Sequence, residues 1–245
     1  MYNFFAQNGK VNGEYLITGG DFNHIKNVLR MREGDNLLVS FNGVSDLCRI
    51  KSFLVDTAVC EVVEENCVSS ELPITIHLFQ GLPKADKLEL IIQKAVELGV
   101  NEITPTEMHR SIVKIDAKKE DKKVLRWQAI CESAAKQSKR NVIPKINAPK
   151  TLKQTLNLLK DYNHVLVPYE SLYGMEPTKN SLSKIKKGDK IALFIGPEGG
   201  FENSEIELLK GAGAETISLG KRILRTETAS ITALSMLMLY AELNI

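Results

Sequence analysis

The spacing of apolar and polar positions changes near residue 73. Before it, short apolar runs alternate with polar and glycine-containing turns, which is typical of β strands. After it, apolar runs alternate with segments in which apolar residues recur every three or four positions, which predicts strands alternating with helices. We therefore predict two domains, residues 1–70 and residues 73–245, with the polar segment 64–71 as linker.

The first domain is predicted to be a small β-barrel-like unit. Asn42-Gly43 stands between two apolar runs and is a strong signal for a two-residue hairpin turn. The predicted strands are residues 2–5, 36–41, 44–54 and 57–63, and a short helix is predicted at residues 21–30.

The second domain is predicted to be a parallel sheet covered by helices on both faces. The predicted strands are residues 74–79, 103–105, 165–168, 191–195 and 215–219. The predicted helices are residues 85–98, 118–137 and 151–159, one that starts at a capping box of Ser204 and Glu207, and an apolar one that includes residues 231–239. That last apolar run is far shorter than the ~20 residues that cross a bilayer, so it is interpreted as a core helix.

Composition narrows the class without deciding the function. The chain has 245 residues, of which 43% are hydrophobic and 25% charged, as is usual for a globular protein. The net charge is +2, but residues 108–150 hold twelve Lys/Arg and four Asp/Glu, a local net charge of +8. A basic segment of this kind favours a polyanionic partner such as nucleic acid. The alternative is an ordinary solvated helix face.

Cysteine and histidine spacing gives no metal site. The four cysteines form no CxxC pair, and none of the four histidines is followed by a second ligand three or four positions later in the chain. The cysteines are expected to be reduced, mostly buried thiols. The amino-terminal residues lack the basic and apolar regions of a signal peptide, so we expect a cytoplasmic protein that is not attached to a membrane.

Two late strands end in glycine and open into unusual loops. The run 191–195 stops at Gly196-Pro197-Glu198-Gly199-Gly200, and the run 215–219 stops at Gly220. Since ligands of open parallel sheets bind beyond the carboxyl ends of the strands, these loops are interpreted as one shared pocket. Neither GxGxxG nor GKS/T spacing is present, which excludes a dinucleotide fingerprint and a P-loop. The alternative for the first loop is a simple tight turn.

Three groups of charged residues are candidates for anion binding. Arg222 and Arg225 follow a strand end and suit a phosphate or carboxylate; the alternative is surface solvation beside a helix cap. Helical spacing places Lys136 and Arg140 on one face, which suits a sugar-phosphate backbone or a solvated face equally. Residues 24–32 are a basic spot in an otherwise acidic region, for which the alternative is a helix end complemented by cations.

The carboxyl-terminal motifs resemble a known family. IGPEGGF (195–201) followed by LGKRILRTETA (219–229) is similar to the RsmE family of 16S rRNA uridine-N3 methyltransferases, within the SPOUT class. Further agreement comes from GLPKADKLELIIQKAVELGV (81–100), RWQAICESAAKQSKR (126–140) and NHIKNVLRMREGD (23–35), so the resemblance covers nearly the whole chain. The chain departs from the family pattern at Lys139, where glycine is usual, and at Lys136, where glutamate is common.

This resemblance implies a fold, a cofactor and partners. It implies an α/β fold in which a PUA-like β-barrel precedes a SPOUT domain, a parallel sheet flanked by helices whose chain end forms a deep trefoil knot. The cofactor it implies is S-adenosylmethionine, bound within the knot by three loops. It also implies a homodimer with the active site at the subunit interface, and 16S rRNA of the small ribosomal subunit as substrate.

The resemblance also assigns roles to particular residues. The cofactor-binding residues it implies are Val167, Pro168, Gly196, Pro197, Glu198, Gly199, Gly200, Leu219, Gly220, Ile223, Leu224, Arg225 and Thr226. The RNA-binding residues it implies are Arg30, Arg32, Arg110, Lys136, Gln137, Arg140 and Arg222. Arg225 is expected to stabilise the developing uracil anion, with Glu198 or Glu227 orienting or accepting the proton.

Two further functions remain as alternatives. In the first, the chain is a SPOUT methyltransferase that acts on another RNA base or on a ribose 2′-hydroxyl. In the second, it is a non-catalytic RNA-binding factor of ribosome assembly. A phosphate-binding hydrolase is disfavoured because the glycine loop lacks the Lys and Ser/Thr of that chemistry.

Overall fold

A computed structural model of the protein describes residues 1–170 and 174–245. The chain divides into two compact units. The first comprises Met1–Glu71 and Ala135–Ile143, and the second comprises Leu72–Ala134 and Pro144–Ile245. The first unit therefore includes a segment, residues 135–143, that the sequence analysis placed in the second domain.

The first unit is built on a five-stranded sheet in the order β1-β3-β4-β5-β2. Its strands are β1 (Asn3–Phe5), β2 (Glu14–Thr18), β3 (Asn36–Phe41), β4 (Val44–Phe53) and β5 (Thr57–Val68). The pairs are antiparallel except for β1 with β3, which is parallel. Alternate side chains such as Phe4, Leu37 and Ile50 are fully or almost fully buried and form the core of this unit.

The hairpin between β3 and β4 forms as predicted. Asn42 and Gly43 have φ angles of 49° and 82°, so both central residues adopt the left-handed region. A type I′ turn requires positive φ at both positions, which is why Asn-Gly is favoured there. The turn fixes the register in which Phe41 pairs with Val44.

The first unit differs from the sequence-based predictions at three places. Residues 64–68, predicted as linker, continue β5, because Asp46 accepts a hydrogen bond from Asn66 N (2.9 Å) where the pairing with β4 shifts register. Strand β2 was not predicted, since only Tyr15 and Ile17 alternate inward over its short length. The helix predicted at residues 21–30 is α1 (Gly19–Asn23) followed by a π-helical turn, His24–Val28.

The second unit is a parallel sheet in the order β12-β10-β11-β6-β7-β8, with β9 also paired to β7. Its strands are β6 (Thr75–Gly81), β7 (Glu102–Glu107), β8 (Lys145–Ile146), β9 (Lys150–Thr151), β10 (His164–Pro168), β11 (Lys190–Ile195) and β12 (Glu215–Ile217). The central strands β6 and β11 are buried over most of their length, as expected where helices cover both faces.

Helices alternate with these strands along the chain. They are α2 (Lys87–Glu97), α3 (Ala117–Gln137), α4 (Leu152–Leu156), α5 (Glu176–Leu182), α6 (Asn203–Gly211) and α7 (Thr226–Asn244), and a 3₁₀ turn spans Leu159–Asp161. Helix α2 buries Leu88, Ile91, Ile92 and Ala95, which recur at the three- and four-residue spacing of one helix face.

Helix α6 starts differently from the prediction. Its capping box is formed by Glu202 and Glu205, two residues before the predicted Ser204 and Glu207. Glu205 is almost fully buried and also accepts a hydrogen bond from His109 N (2.8 Å). This additional contact in the folded unit selects Glu205 over the exposed Glu207.

All four cysteines are free thiols, as predicted, and Cys48, Cys60 and Cys131 are buried. Burial raises the pKa of the Cys60 thiol to about 12, so this side chain is neutral at physiological pH. Among residues 1–170 and 174–245, no helix combines the length and the apolar character needed to cross a membrane.

Candidate active site

Loops that follow three neighbouring strands meet around one cavity in the second unit. Strands β10, β11 and β12 end at Pro168, Ile195 and Ile217, and because they are parallel, these ends lie at one edge of the sheet. The cavity holds about 820 Å³ of empty space, part of it open to solvent. The prediction of one shared pocket at these strand ends is confirmed.

Most residues that the sequence assigned to cofactor binding line this cavity. They are Pro168, Gly196, Pro197, Glu198, Gly199, Gly200, Leu219, Gly220, Ile223, Leu224 and Thr226. Arg222, assigned to RNA, lines it as well. Two assigned residues do not line it: Val167 is fully buried in β10, and Arg225 is an exposed residue at the N-cap of α7.

The glycine loop, residues 196–200, needs its glycines for close packing. A Cβ atom at Gly81, the last residue of β6, would lie 2.5 Å from Pro197 N and 2.8 Å from Gly196 C. Inside the loop, a Cβ atom at Gly196 would lie 3.2 Å from the Phe201 ring, and Gly200 has a φ of 69°. The loop backbone therefore packs directly on β6 and forms one wall of the cavity.

Glu198 is held by two donors, one in the loop before α2 and one at the first residue of that helix. Its Oε1 accepts hydrogen bonds from Lys84 N and from Lys87 Nζ, each at 3.0 Å. Partial burial opposes ionisation of this carboxyl group, but the hydrogen bonds from Lys84 and Lys87, a hydrogen bond to the Glu198 backbone and the positive charge of Lys87 together outweigh burial and keep the pKa of Glu198 below its usual value. Glu198 is therefore a carboxylate at neutral pH and a weak base.

Lys87 also connects Glu198 to the first turn of α7. Its Nζ lies 3.5 Å from Glu227 Oε2. Within the part of the chain that the structure describes, this buried Oε2 atom accepts no hydrogen bond. Glu227 Oε2 therefore has an ion-pair partner but no hydrogen-bond donor in the described structure, whereas Glu198 Oε1 accepts two hydrogen bonds.

Arg110 contacts the glycine loop from the other side. Its Nη1 donates to Gly199 O and its Nε to Glu202, both at 2.9 Å. The ideal Cβ position of Gly199 lies 2.9 Å from Arg110 Cβ, so the arginine packs against the loop as well as bonding to it. A guanidinium used in this way supports the cavity wall, although the sequence assigned Arg110 to RNA.

Arg140 requires a correction. The sequence placed it on an exposed basic helix end, but its side chain is 2% exposed, and its Nε donates to Glu71 Oε1 at 2.8 Å. Glu71 also accepts from Asn141 N, so this ion pair fixes segment 135–143 within the first unit. Lys136 is similarly engaged by Asp21 at 2.6 Å. Burial of Arg140 argues against its assignment as an RNA contact.

Three other residues assigned to RNA are on the surface of the first unit. Arg30, Arg32 and Gln137 are exposed. Arg30 has a φ of 54°, which places it in the left-handed region one residue beyond Leu29, the C-cap of the π-helical turn. Their exposure is compatible with the predicted contacts to phosphate groups.

Comparisons with known proteins agree with this arrangement. A family model described as RNA methyltransferase domain matches residues 70–238, and one described as RNA methyltransferase PUA domain matches residues 17–52. The ribosomal RNA small subunit methyltransferase E of Bacillus subtilis (strain 168) is 40% identical over 233 residues, covering 94% of this chain and 91% of the relative. Its namesake from Mesomycoplasma hyopneumoniae (strain 232) is 35% identical over 96% of this chain and 98% of its own.

The chain belongs to the ribosomal RNA small subunit methyltransferase E family. Solved structures include the methyltransferase E from Neisseria gonorrhoeae bound to S-adenosyl methionine, which is similar at a TM-score of 0.84. It is 28% identical to this chain, and the match covers 98% of this chain and 97% of the other.

Several residues that line the cavity of this methyltransferase E family member were not predicted from the sequence. Tyr169, Glu170, Phe201 and Ser218 also line the cavity. Tyr169, Phe201 and Ser218 directly adjoin predicted residues and Glu170 lies one position further, so continuation of the same loops was the available signal. Lys84 and Lys87 carried no such signal, because they contact Glu198 across 114 and 111 residues of sequence.

Proposed function

We propose that this chain transfers a methyl group from S-adenosylmethionine to N3 of a specific uridine in 16S rRNA of the small ribosomal subunit. One observation carries the proposal: three strand-end loops surround a single cavity in a member of an RNA methyltransferase family. The names of the relatives support an rRNA substrate, and the SAM-bound relative supports the cofactor.

The lining of the cavity fits the chemistry of this cofactor. Apolar side chains such as Ile195, Leu219 and Leu224 suit the adenine ring. The carboxylates of Glu170 and Glu198 suit a positively charged sulfonium, and Arg222 suits the carboxylate of the methionine part. The glycine loop offers backbone groups at short range. When bound, S-adenosylmethionine supplies an activated methyl group.

The chain must then make a uracil nitrogen nucleophilic. N3 carries a proton, so attack requires removal of that proton and stabilisation of the negative charge on the uracil oxygens. Arg225 has an exposed guanidinium one residue before Thr226, which lines the cavity. In this proposal Arg225 stabilises that charge, while the residues that line the cavity would hold the methyl donor.

The two candidate acids differ in their suitability to accept the proton. Glu198 accepts hydrogen bonds from Lys84 and Lys87 and has a lowered pKa, which makes it a weak base. In this proposal its role is to stabilise the glycine loop. Glu227 adjoins the cavity residue Thr226, and its Oε2 atom accepts no hydrogen bond within the described structure, although Lys87 Nζ lies 3.5 Å from it. We assign Glu227 as the residue that orients or accepts the N3 proton.

Exposed cations on each unit supply candidate RNA contacts. In the second unit, Lys118, Lys119 and Lys122 are exposed along the first turns of α3. In the first unit, Arg30 and Arg32 are exposed. Phosphate contacts of this type give affinity and position, while the cavity selects the base. Uridine N3 must be unpaired to be attacked, so the RNA presents it in an open or flipped state.

A homodimer is part of the proposal. Helix α7 is apolar on all sides over much of its length, yet Leu239 and Leu243 are 51% and 79% exposed. A helix of this composition is normally covered, and a second copy of the chain would cover it. We place the active site next to this interface.

A trefoil knot is also part of the proposal. The chain leaves the edge strand β12 and returns through residues 218–225 to Thr226. There it contacts both Gln80 of β6 and Gly196 of the glycine loop. This return path to the centre of the sheet supports a chain end threaded beneath the loop.

The reaction is tested on small ribosomal subunits from a strain that lacks this enzyme. Purified protein and S-adenosylmethionine are added, and the RNA nucleosides are identified by mass spectrometry. The proposal predicts the appearance of 3-methyluridine. A ribose-methylated nucleoside instead would refute the N3 assignment, and no methylation together with no calorimetric cofactor binding would favour a non-catalytic RNA-binding factor.

The role of Arg225 is tested by Arg225→Ala in the same assay. We expect methyl transfer to slow by about 100-fold or more, as for loss of other charge-stabilising donors. Cofactor affinity should change little, because the guanidinium does not line the cavity. Unchanged transfer by this variant would exclude the role.

A further inference from the structure

A buried polar network lies directly beneath the cavity and involves Gln80, which does not itself line it. Gln80 is fully buried near the end of β6. Its Nε2 donates to Thr226 Oγ1 and to Gly81 O, both at 3.0 Å, and Ser230 Oγ donates to its Oε1 at 2.6 Å. Both amide hydrogens and the amide oxygen are therefore used.

The orientation of this amide is fixed by its neighbours. The atom next to Gly81 O must be the nitrogen, because an amide oxygen there would face a carbonyl oxygen without a proton between them. The amide oxygen is then directed to Ser230. Consequently the nitrogen donates to Thr226 Oγ1, and Thr226 must turn its single proton elsewhere.

The proton of Thr226 goes to the glycine loop. Thr226 Oγ1 donates to Gly196 O at 2.7 Å. Thr226 and Gly196 belong to two different loops of the cavity wall, at the start of α7 and after β11. The hydrogen bond from Gln80 thus sets the direction of the hydrogen bond that holds these two loops together.

We propose that Gln80 is a positioning residue for cofactor binding, acting through the Thr226 hydroxyl on Gly196. The proposal rests on the proposed function for the identity of the ligand. The side chains of Gln80, Thr226 and Ser230 are buried, so loss of one donor leaves an unsatisfied polar group at the cavity wall, and the geometry of the wall depends on the complete network. Gln80 would then affect affinity for S-adenosylmethionine without contacting it.

The test measures calorimetric affinity for S-adenosylmethionine in single and double variants. Gln80→Met keeps the volume and removes both the donors and the acceptor; Thr226→Val keeps the shape and removes the hydroxyl, and Thr226→Ser retains it. We expect the dissociation constant to rise about tenfold or more in the first two variants, and to stay near the wild-type value in the serine variant.

The double variant separates positioning from general stability. If Gln80 acts through Thr226, Gln80→Met combined with Thr226→Val binds about as weakly as either variant alone. Fully multiplicative effects, or a Gln80→Met dissociation constant within about twofold of wild type, would overturn the proposal. Ser230→Ala, which removes the donor to the amide oxygen, provides the same comparison if Gln80→Met does not fold. Absence of binding by the wild-type chain would instead refute the proposed function.

Discussion

The contact between Gly81 and the glycine loop gives a sharp prediction. In Gly81→Ala the added methyl group would lie 2.5 Å from Pro197 N, 2.7 Å from Pro197 Cδ and 2.8 Å from Gly196 C. Ordinary carbon contacts are about 3.5–4.0 Å, so the loop must retreat by roughly 1 Å. The neighbours are backbone and a rigid ring, and they cannot rotate away as a flexible side chain does.

The expected cost follows from this displacement. Overpacking of a dense interior costs about 1–3 kcal/mol, and we expect the upper end here because backbone must move. Since the loop is a wall of the cavity, a displacement of roughly 1 Å should also slow methyl transfer by about 100-fold. Urea unfolding measures the first effect, and the ribosomal-subunit methylation assay measures the second.

Gly211→Ala is the matched control. Gly211 ends α6, has no atom within 4 Å of its ideal Cβ position and has no positive φ. The same substitution there should leave activity unchanged and leave stability equal or raised by about 0.5–1 kcal/mol. The reasoning is refuted if Gly81→Ala unfolds at the same urea concentration as Gly211→Ala and methylates at the wild-type rate.

Two further predictions concern ionisable side chains that are buried in the folded protein. Burial lowers the pKa of His77 to about 4 in the folded protein. The unfolded chain therefore takes up a proton on this side chain at a higher pH, near 6.5, than the folded protein does. As a result, the free energy of unfolding should fall by roughly 2 kcal/mol as the pH drops from 6.5 towards 4. His77→Gln should show a smaller loss over that range in urea unfolding; equal pH dependence of both proteins would contradict this. Arg140→Met should cost about 3 kcal/mol in the same assay, because Glu71 loses its buried partner, whereas Gln137→Ala at an exposed position should be near neutral. An Arg140→Met protein as stable as the wild type would return Arg140 to the candidate RNA contacts.

Much of the fold could be predicted because its central strands are buried on both faces. Such strands appear in sequence as continuous apolar runs, as in β11, and β10 and β6 were found in the same way. The short strand β2 was missed because two inward side chains are too weak a pattern. The extension of β5 depended on a hydrogen bond from Asn66 to the buried Asp46, a tertiary contact that no local pattern reports.

The part of the candidate site that consists of residues consecutive in sequence could be predicted. The glycine loop and the loop after β12 each hold several cavity residues in consecutive positions, and the parallel sheet brings both loops to one edge. The contacts that hold the glycine loop in place could not be predicted, because they join residues far apart in sequence: Arg110 donates to Gly199 O across 89 residues. Arg140 was misplaced for the same reason: its partner Glu71 lies 69 residues away, and charge alone does not indicate burial.

Calorimetric titration of the wild-type chain and of Gly81→Ala with S-adenosylmethionine tests the central claim most directly. If the strand-end loops form the cofactor site, the wild-type chain binds saturably with one site per chain, and Gly81→Ala binds at least about tenfold more weakly while Gly211→Ala does not. Absence of binding, or equal affinity in all three proteins, would contradict the claim that these loops build the site.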